Sequence, residues 1–142
     1  MINDNLALTG ALTIAINNEV VQETHNLVVT AGKEWVADRM ADANTVMTHM
    51  AIGTGTVAAD AANTTLGTEI DRNALTVSGG TVTANTIAYA CTWAAGDGTG
   101  AITEAGIFDA ATGGDMLART VFSVVNKGAA DSMTVTWTIT VS

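Results

Sequence analysis

At 142 residues the chain suits a single domain spanning 1–142, and 48% of it is hydrophobic but only 4% aromatic, so Ala, Val, Ile and Met must fill the core. Fourteen acids outweigh five scattered cations, Lys33, Arg39, Arg72, Arg119 and Lys127, for a net charge of −9, which excludes nucleic-acid binding by phosphate neutralisation and disfavours an anionic membrane surface. The single cysteine, Cys91, forbids an intrachain disulfide and fits assembly in a reducing cytoplasm, while 24 threonines favour strands, where β-branched side chains pack well.

The opening MINDNLALTG has no basic region before its apolar residues and does not read as a signal peptide. No apolar run reaches the length of a membrane-spanning helix. Leu6, Leu8, Leu12, Ile14 and Ile16 alternate with Ala and Thr, with a bend or bulge expected at Gly10. Asn17-Asn18 is a turn signal, and 19–29 follows as a second strand, so residues 1–26 form an N-terminal hairpin or an arm reaching a neighbour. Thr30 can cap a short helix over 31–42, with Trp35, Val36 and Met40 on one side; it should lie on the sheet as a plug or lid.

Residues 46–52 read as a strand, and 53–67 as a long loop of small residues. Residues 69–78 and 81–94 form two strands with Gly79-Gly80 as a two-residue hairpin corner. In the second of these, Ile87, Tyr89, Cys91 and Trp93 share a phase, which predicts a buried Cys91. After the GDGTG loop comes the stretch that organises the chain, 101–122: two apolar arms around Thr112-Gly113-Gly114-Asp115. Apolar residues of both parities predict a hairpin covered on both faces, in mid-sandwich or against another subunit, with Glu104 and Arg119 opposed across the arms. Residues 132–142 close the chain in strict alternation of Met133, Val135, Trp137, Ile139 and Val141 with Thr. About eight strands and one helix predict an all-β fold, an antiparallel β-sandwich or jelly-roll-like architecture. The absence of proline leaves edge strands without one protective device, so self-association through sheet surfaces and edges is expected.

Chemistry is hard to place on this chain. His25 and His49 lack partners at metal-ligand spacing, and Cys91 has no cation or helix start to activate it. Asp97 in GDGTG has too few acidic neighbours for a calcium loop, and GTGT from Gly53 lacks the lysine and helix of a phosphate cradle. Glu104 and Asp109 fall on opposite faces of one extended strand. The reading is therefore a non-enzyme with no catalytic, cofactor-binding or metal-ligating residues and no cofactor. A carbohydrate-binding β-sandwich lacks its aromatic platform here, since Tyr89 and the three tryptophans fit core phases.

Four blocks occur in order: HMAIGTGT from His49, LGTEIDR from Leu66, ITEAGIF from Ile102, and LAR from Leu117. Together they resemble tailed-bacteriophage virion proteins, namely the amino-terminal domain of some tail fibres and small free-standing structural proteins ending in a Thr-rich strand. The resemblance runs from about Leu27 onward and brings no catalytic residues. It implies a virion component assembled in the host cytoplasm, partnered by the major capsid protein or other virion proteins. Because no shaft or receptor-binding tip follows before Ser142, the expectation is a head decoration or cement protein, with a short tail-fibre or adaptor component as the alternative. A homo-oligomer is expected, with three copies as the preferred number.

Overall fold

A computed structural model describes residues 5–142. Ten strands and one helix follow in the order β1 (Leu8–Ile16), β2 (Glu19–His25), β3 (Leu27–Val28), α1 (Thr30–Met40), β4 (His49–Gly53), β5 (Glu69–Ala74), β6 (Thr81–Thr83), β7 (Thr86–Trp93), β8 (Gly100–Phe108), β9 (Met116–Lys127) and β10 (Met133–Val141). They form two five-stranded sheets, β2-β1-β10-β7-β6 and β3-β9-β8-β4-β5, in which every pairing is antiparallel. The fold is an all-β sandwich with one short helix. Residues 1–4 of the N-terminal segment lie outside the described residues.

The alternation in β10 sets one wall of the core. Met133, Val135, Trp137 and Ile139 point inward, and each pairs with an inward residue of β1 or β7: Val135 faces Ile14 and Cys91, Trp137 faces Leu12 and Tyr89. Burying these side chains supplies the main driving force at about 25 cal/mol per Å² of apolar surface. The outward residues of the same strands are small and uncharged. Thr140, Thr138, Thr136 and Thr134 lie beside Thr9, Ala11, Thr13 and Ala15 on one flank and Ala88, Ala90 and Thr92 on the other.

The central hairpin of the second sheet, β8–β9, is covered on both faces, as its two-sided apolar pattern predicts. Ile102, Ala105, Ile107, Leu117 and Phe122 enter the main core. Phe108 and Met116 face the other way, into a small second cluster with Val29, Ala51 and Leu66. The cover comes from this same chain: α1 lies so close that Gly32 touches the Leu117 carbonyl, and the loop 54–68 supplies Leu66.

Several local expectations change. The helix begins at Thr30, with Val29 in the cap position and no side-chain cap bond, so Thr30 does not cap it. Trp35 is buried and donates its Nε1–H to the Thr45 carbonyl, 2.7 Å, but Met40 is 83% exposed rather than part of a packed stripe. The 19–29 strand divides at Asn26: β2 stays with β1, whereas β3 crosses to the second sheet beside β9. The 46–52 strand is β4, starting only at His49. Gly79-Gly80 is not a hairpin corner, because β5 belongs to the second sheet and β6 to the first; the glycines (φ 82° and 76°) turn the chain from one sheet to the other. The hairpin lies one strand later, where Ala84 (φ 52°) turns β6 into β7.

Gly10 produces no bend either. It pairs regularly with Ile139 and occupies an inward position, where any side chain would overlap the Asn26 amide. The space it leaves lets Asn26 Oδ1 accept the Trp137 Nε1–H at 2.8 Å, while the Asn26 N–H donates to the Gly10 carbonyl at 3.1 Å. The bulge sits instead in β2, where the register with β1 skips Val21.

Candidate interaction surfaces and the buried polar node

Glu104 on β8 and Arg119 on β9 meet on the outer face of the second sheet, beneath the 54–68 loop. Glu104 Oε2 accepts from Arg119 Nη2 at 2.8 Å and Nε at 3.2 Å, and both side chains are essentially inaccessible. The carboxylate also gathers backbone donors from both ends of the loop: Gly55 (2.9 Å) and Thr68 (2.7 Å) on Oε1, and Gly67 (2.8 Å) on Oε2. Arg119 spends its remaining donors on the middle of the loop, at the Val57 and Ala58 carbonyls and the Asn63 side chain. Burial alone would raise the Glu104 pKa. The Thr68 N–H, the Arg119 guanidinium and the Gly67 and Gly55 N–H groups outweigh it and hold the carboxyl below its ordinary value.

Glycine makes this packing possible. A side chain at Gly53 or Gly55 would run into Glu104 Oε1. Thr103 Oγ1 adds a bond to the Gly55 carbonyl (2.8 Å), and the Thr30 N–H donates to Ala61 (2.8 Å), tying the loop to the start of α1. The loop's backbone is thus fastened by one buried ion pair. The GTGT segment contributes one donor, the Gly55 N–H, to the chain's own Glu104 carboxylate. A pairing of Glu104 with Arg119 is legible from the two arms, but the register sets them diagonally, Glu104 opposite Val121 and Arg119 opposite Gly106, rather than directly opposed. The loop's dependence on them is not legible, and its signal is the glycines at 53, 55 and 67.

A second clamp holds the neighbouring turn. Arg72 pairs with Glu69 (2.7 Å), lies 3.8 Å over the Phe108 ring, and donates to the Ala110 and Gly113 carbonyls. The four sequence blocks thus interlock. HMAIGTGT supplies β4 and the Gly55 donor, LGTEIDR supplies the Gly67 and Thr68 donors and Arg72, ITEAGIF supplies Glu104, and LAR supplies Arg119.

The remaining chemical candidates are scattered. His49 is half-buried with Nδ1 2.7 Å from the Thr48 hydroxyl, and His25 is exposed at the end of β2. Among the described residues, no three His, Cys, Asp or Glu side chains are grouped to hold a metal ion. Cys91 is fully buried and donates to the Ala74 and Asn73 carbonyls; burial pushes its pKa up to about 12, against a lowering by the Thr92 backbone bond. Asp97 lies in the turn following β7, where its N–H donates to the Ala94 carbonyl. Lys127, one of the scattered cations, is buried, with Nζ 2.9 Å from that same Ala94 carbonyl.

Two surfaces are suited to contact. One is the charge-free Thr/Ala face of β1, β10 and β7. The other is an open apolar groove at one end of the sandwich, lined by Leu6, Leu8, Val36, Met40 and Val141, with Lys33 on its rim. No helix among the described residues is long and apolar enough to cross a membrane. Comparison with protein-family models, curated proteins and solved structures gives no match for this chain.

Proposed function

We propose that the chain is a structural protein of a tailed-bacteriophage virion, a head decoration or cement protein that binds the major capsid protein across capsomer junctions. The observation that carries this reading is the interlocking of the four virion-like blocks around Glu104 and Arg119. Blocks far apart in sequence resemble one kind of protein together because they build one unit: a loop locked to a two-sided hairpin. The charge-free Thr/Ala face supports contact by area rather than by catalysis. A protein that binds the assembled shell but not unfolded subunits stabilises the shell by mass action, and many weak copies add up on one particle.

Particles lacking this protein provide the test. They should assemble, rupture at lower temperature than complete particles, and regain heat resistance when the purified protein is added. Particles with normal heads that have lost adsorption to cells would overturn the cement reading in favour of a tail-fibre component.

A further inference from the structure

The apolar groove and its lysine have a counterpart at the other end of the molecule. Leu6 and Met40 are 74% and 83% exposed at the groove, an unusual cost in water for two large apolar side chains side by side. Lys33 on the rim is exposed and, among the described residues, is the one cation neither ion-paired nor buried: Arg39, Arg72 and Arg119 pair with Asp42, Glu69 and Glu104, and Lys127 is buried. In a chain of net charge −9, a lone positive group beside an apolar groove selects an apolar segment flanked by acids.

The β2 strand carries such a segment. Its bulge leaves the consecutive Val20 and Val21 at 55% and 50% exposure. Glu19 and Glu23 flank them, both exposed and without an ion-pair partner among the described residues. Ile70 also neighbours acids, but Glu69 is committed to Arg72 and Asp71 is half-buried with its Oδ1 accepting the Arg72 N–H, and Ile70 itself is only 38% exposed. The two sites cannot meet within one molecule. β1 starts at Leu8 by the groove and ends at Ile16, which pairs with Glu19, so about 27 Å of strand separates them.

We propose that the groove of one copy receives the Val20–Val21 corner of a second copy, with Glu19 and Glu23 of the incoming copy against Lys33. The contact is heterologous: each copy offers one groove and one corner, so copies join head to tail, the type of interface a closed ring also uses. This association stands or falls independently of the virion reading.

Charge exchange tests it, with sedimentation of the full chain as the readout. Wild-type mass should rise with concentration at low salt and fall back as salt screens the charges. Lys33→Glu sets Glu against Glu, and the double variant Glu19→Lys, Glu23→Lys sets Lys against Lys. Each alone should stay monomeric where the wild type associates, with an unchanged circular dichroism spectrum. An equimolar mixture of the two variants should associate again, because every groove then finds a complementary corner. A monomeric wild type at all concentrations, a variant that associates as wild type does, or a mixture that stays monomeric would each overturn the proposal.

Discussion

Replacing Glu104 with Gln changes almost nothing in shape and should nonetheless be severe. The carboxylate accepts five N–H groups, two on Oε1 and three on Oε2, and no donor of its own is called for. A glutamine amide has one accepting oxygen and one donating NH2. Turned one way, its NH2 confronts the Gly55 and Thr68 N–H groups; turned the other, it confronts Gly67 N–H and the Arg119 guanidinium. In both cases Arg119 loses its counter-charge while remaining buried, a change that costs about 3–5 kcal/mol when one member of a buried pair is removed. Unfolding entropy of about 2.1 cal/mol/K per residue over 142 residues comes to about 0.3 kcal/mol/K, so Tm should fall by about 10–17 °C. Differential scanning calorimetry at pH 7 reads this, with Asp42→Asn as control. Asp42 is 91% exposed in its pair with Arg39, and such pairs contribute about 0–1 kcal/mol. Hydrogen exchange should show the amides of Gly55, Gly67 and Thr68 opening first. A Glu104→Gln Tm within about 3 °C of wild type would refute the reasoning, because it would mean that the five donors do not require a carboxylate.

The Glu104 carboxyl is held below its ordinary pKa, so its contribution is complete above the unfolded value of about 4.3 and lost as pH falls through the folded value. The Tm difference between wild type and Glu104→Gln should therefore shrink at pH 3, and a constant difference from pH 7 to pH 3 would count against the ion pair as its source. The Cys91 pKa is raised to about 12, so the neutral thiol stabilises the fold below about pH 8.5 and this contribution is lost as pH rises toward 12. Native protein should react with a thiol reagent far more slowly than denatured protein, and equal rates would show that Cys91 is open to solvent. Gly10→Val should overfill the inward position, at about 1–3 kcal/mol, and strand the Trp137 N–H, at about another 1–3 kcal/mol. The expected Tm loss is at least about 7 °C; a melt unchanged from wild type would show that Asn26 can move aside without loss.

Side-chain periodicity carried the fold class because it reports which face is buried: β10, β7 and the β8–β9 hairpin are all legible in this way. It does not report which sheet a strand joins. Gly79-Gly80 has sound turn chemistry, yet the chain leaves that turn for the opposite sheet, because Thr81 to Thr83 find their partners in β7 rather than in β5. Gly10 misled for a related reason. Its role depends on Asn26 and Trp137, which approach only after the sheets pack. The polar node was half legible: two opposed charges on facing arms suggest a pair, but nothing local says that a loop 36 to 49 residues earlier lends it three backbone donors. The apolar groove needs the ends of β1 and β10 beside α1, a juxtaposition without any sequence signature.

The strand that completes the first sheet comes after all its partners in chain order. β10 lies between β1 and β7, and without it the β1–β2 and β6–β7 hairpins share no ladder. Both halves of that sheet must therefore wait with raw edges until residues 133–141 arrive, which makes the closing step non-local and slow relative to hairpin formation. A copy that lost or misplaced its own β10 would offer a vacant slot, lined by Leu12, Ile14, Tyr89 and Cys91, that fits the alternating Met133, Val135, Trp137 and Ile139 of a neighbour.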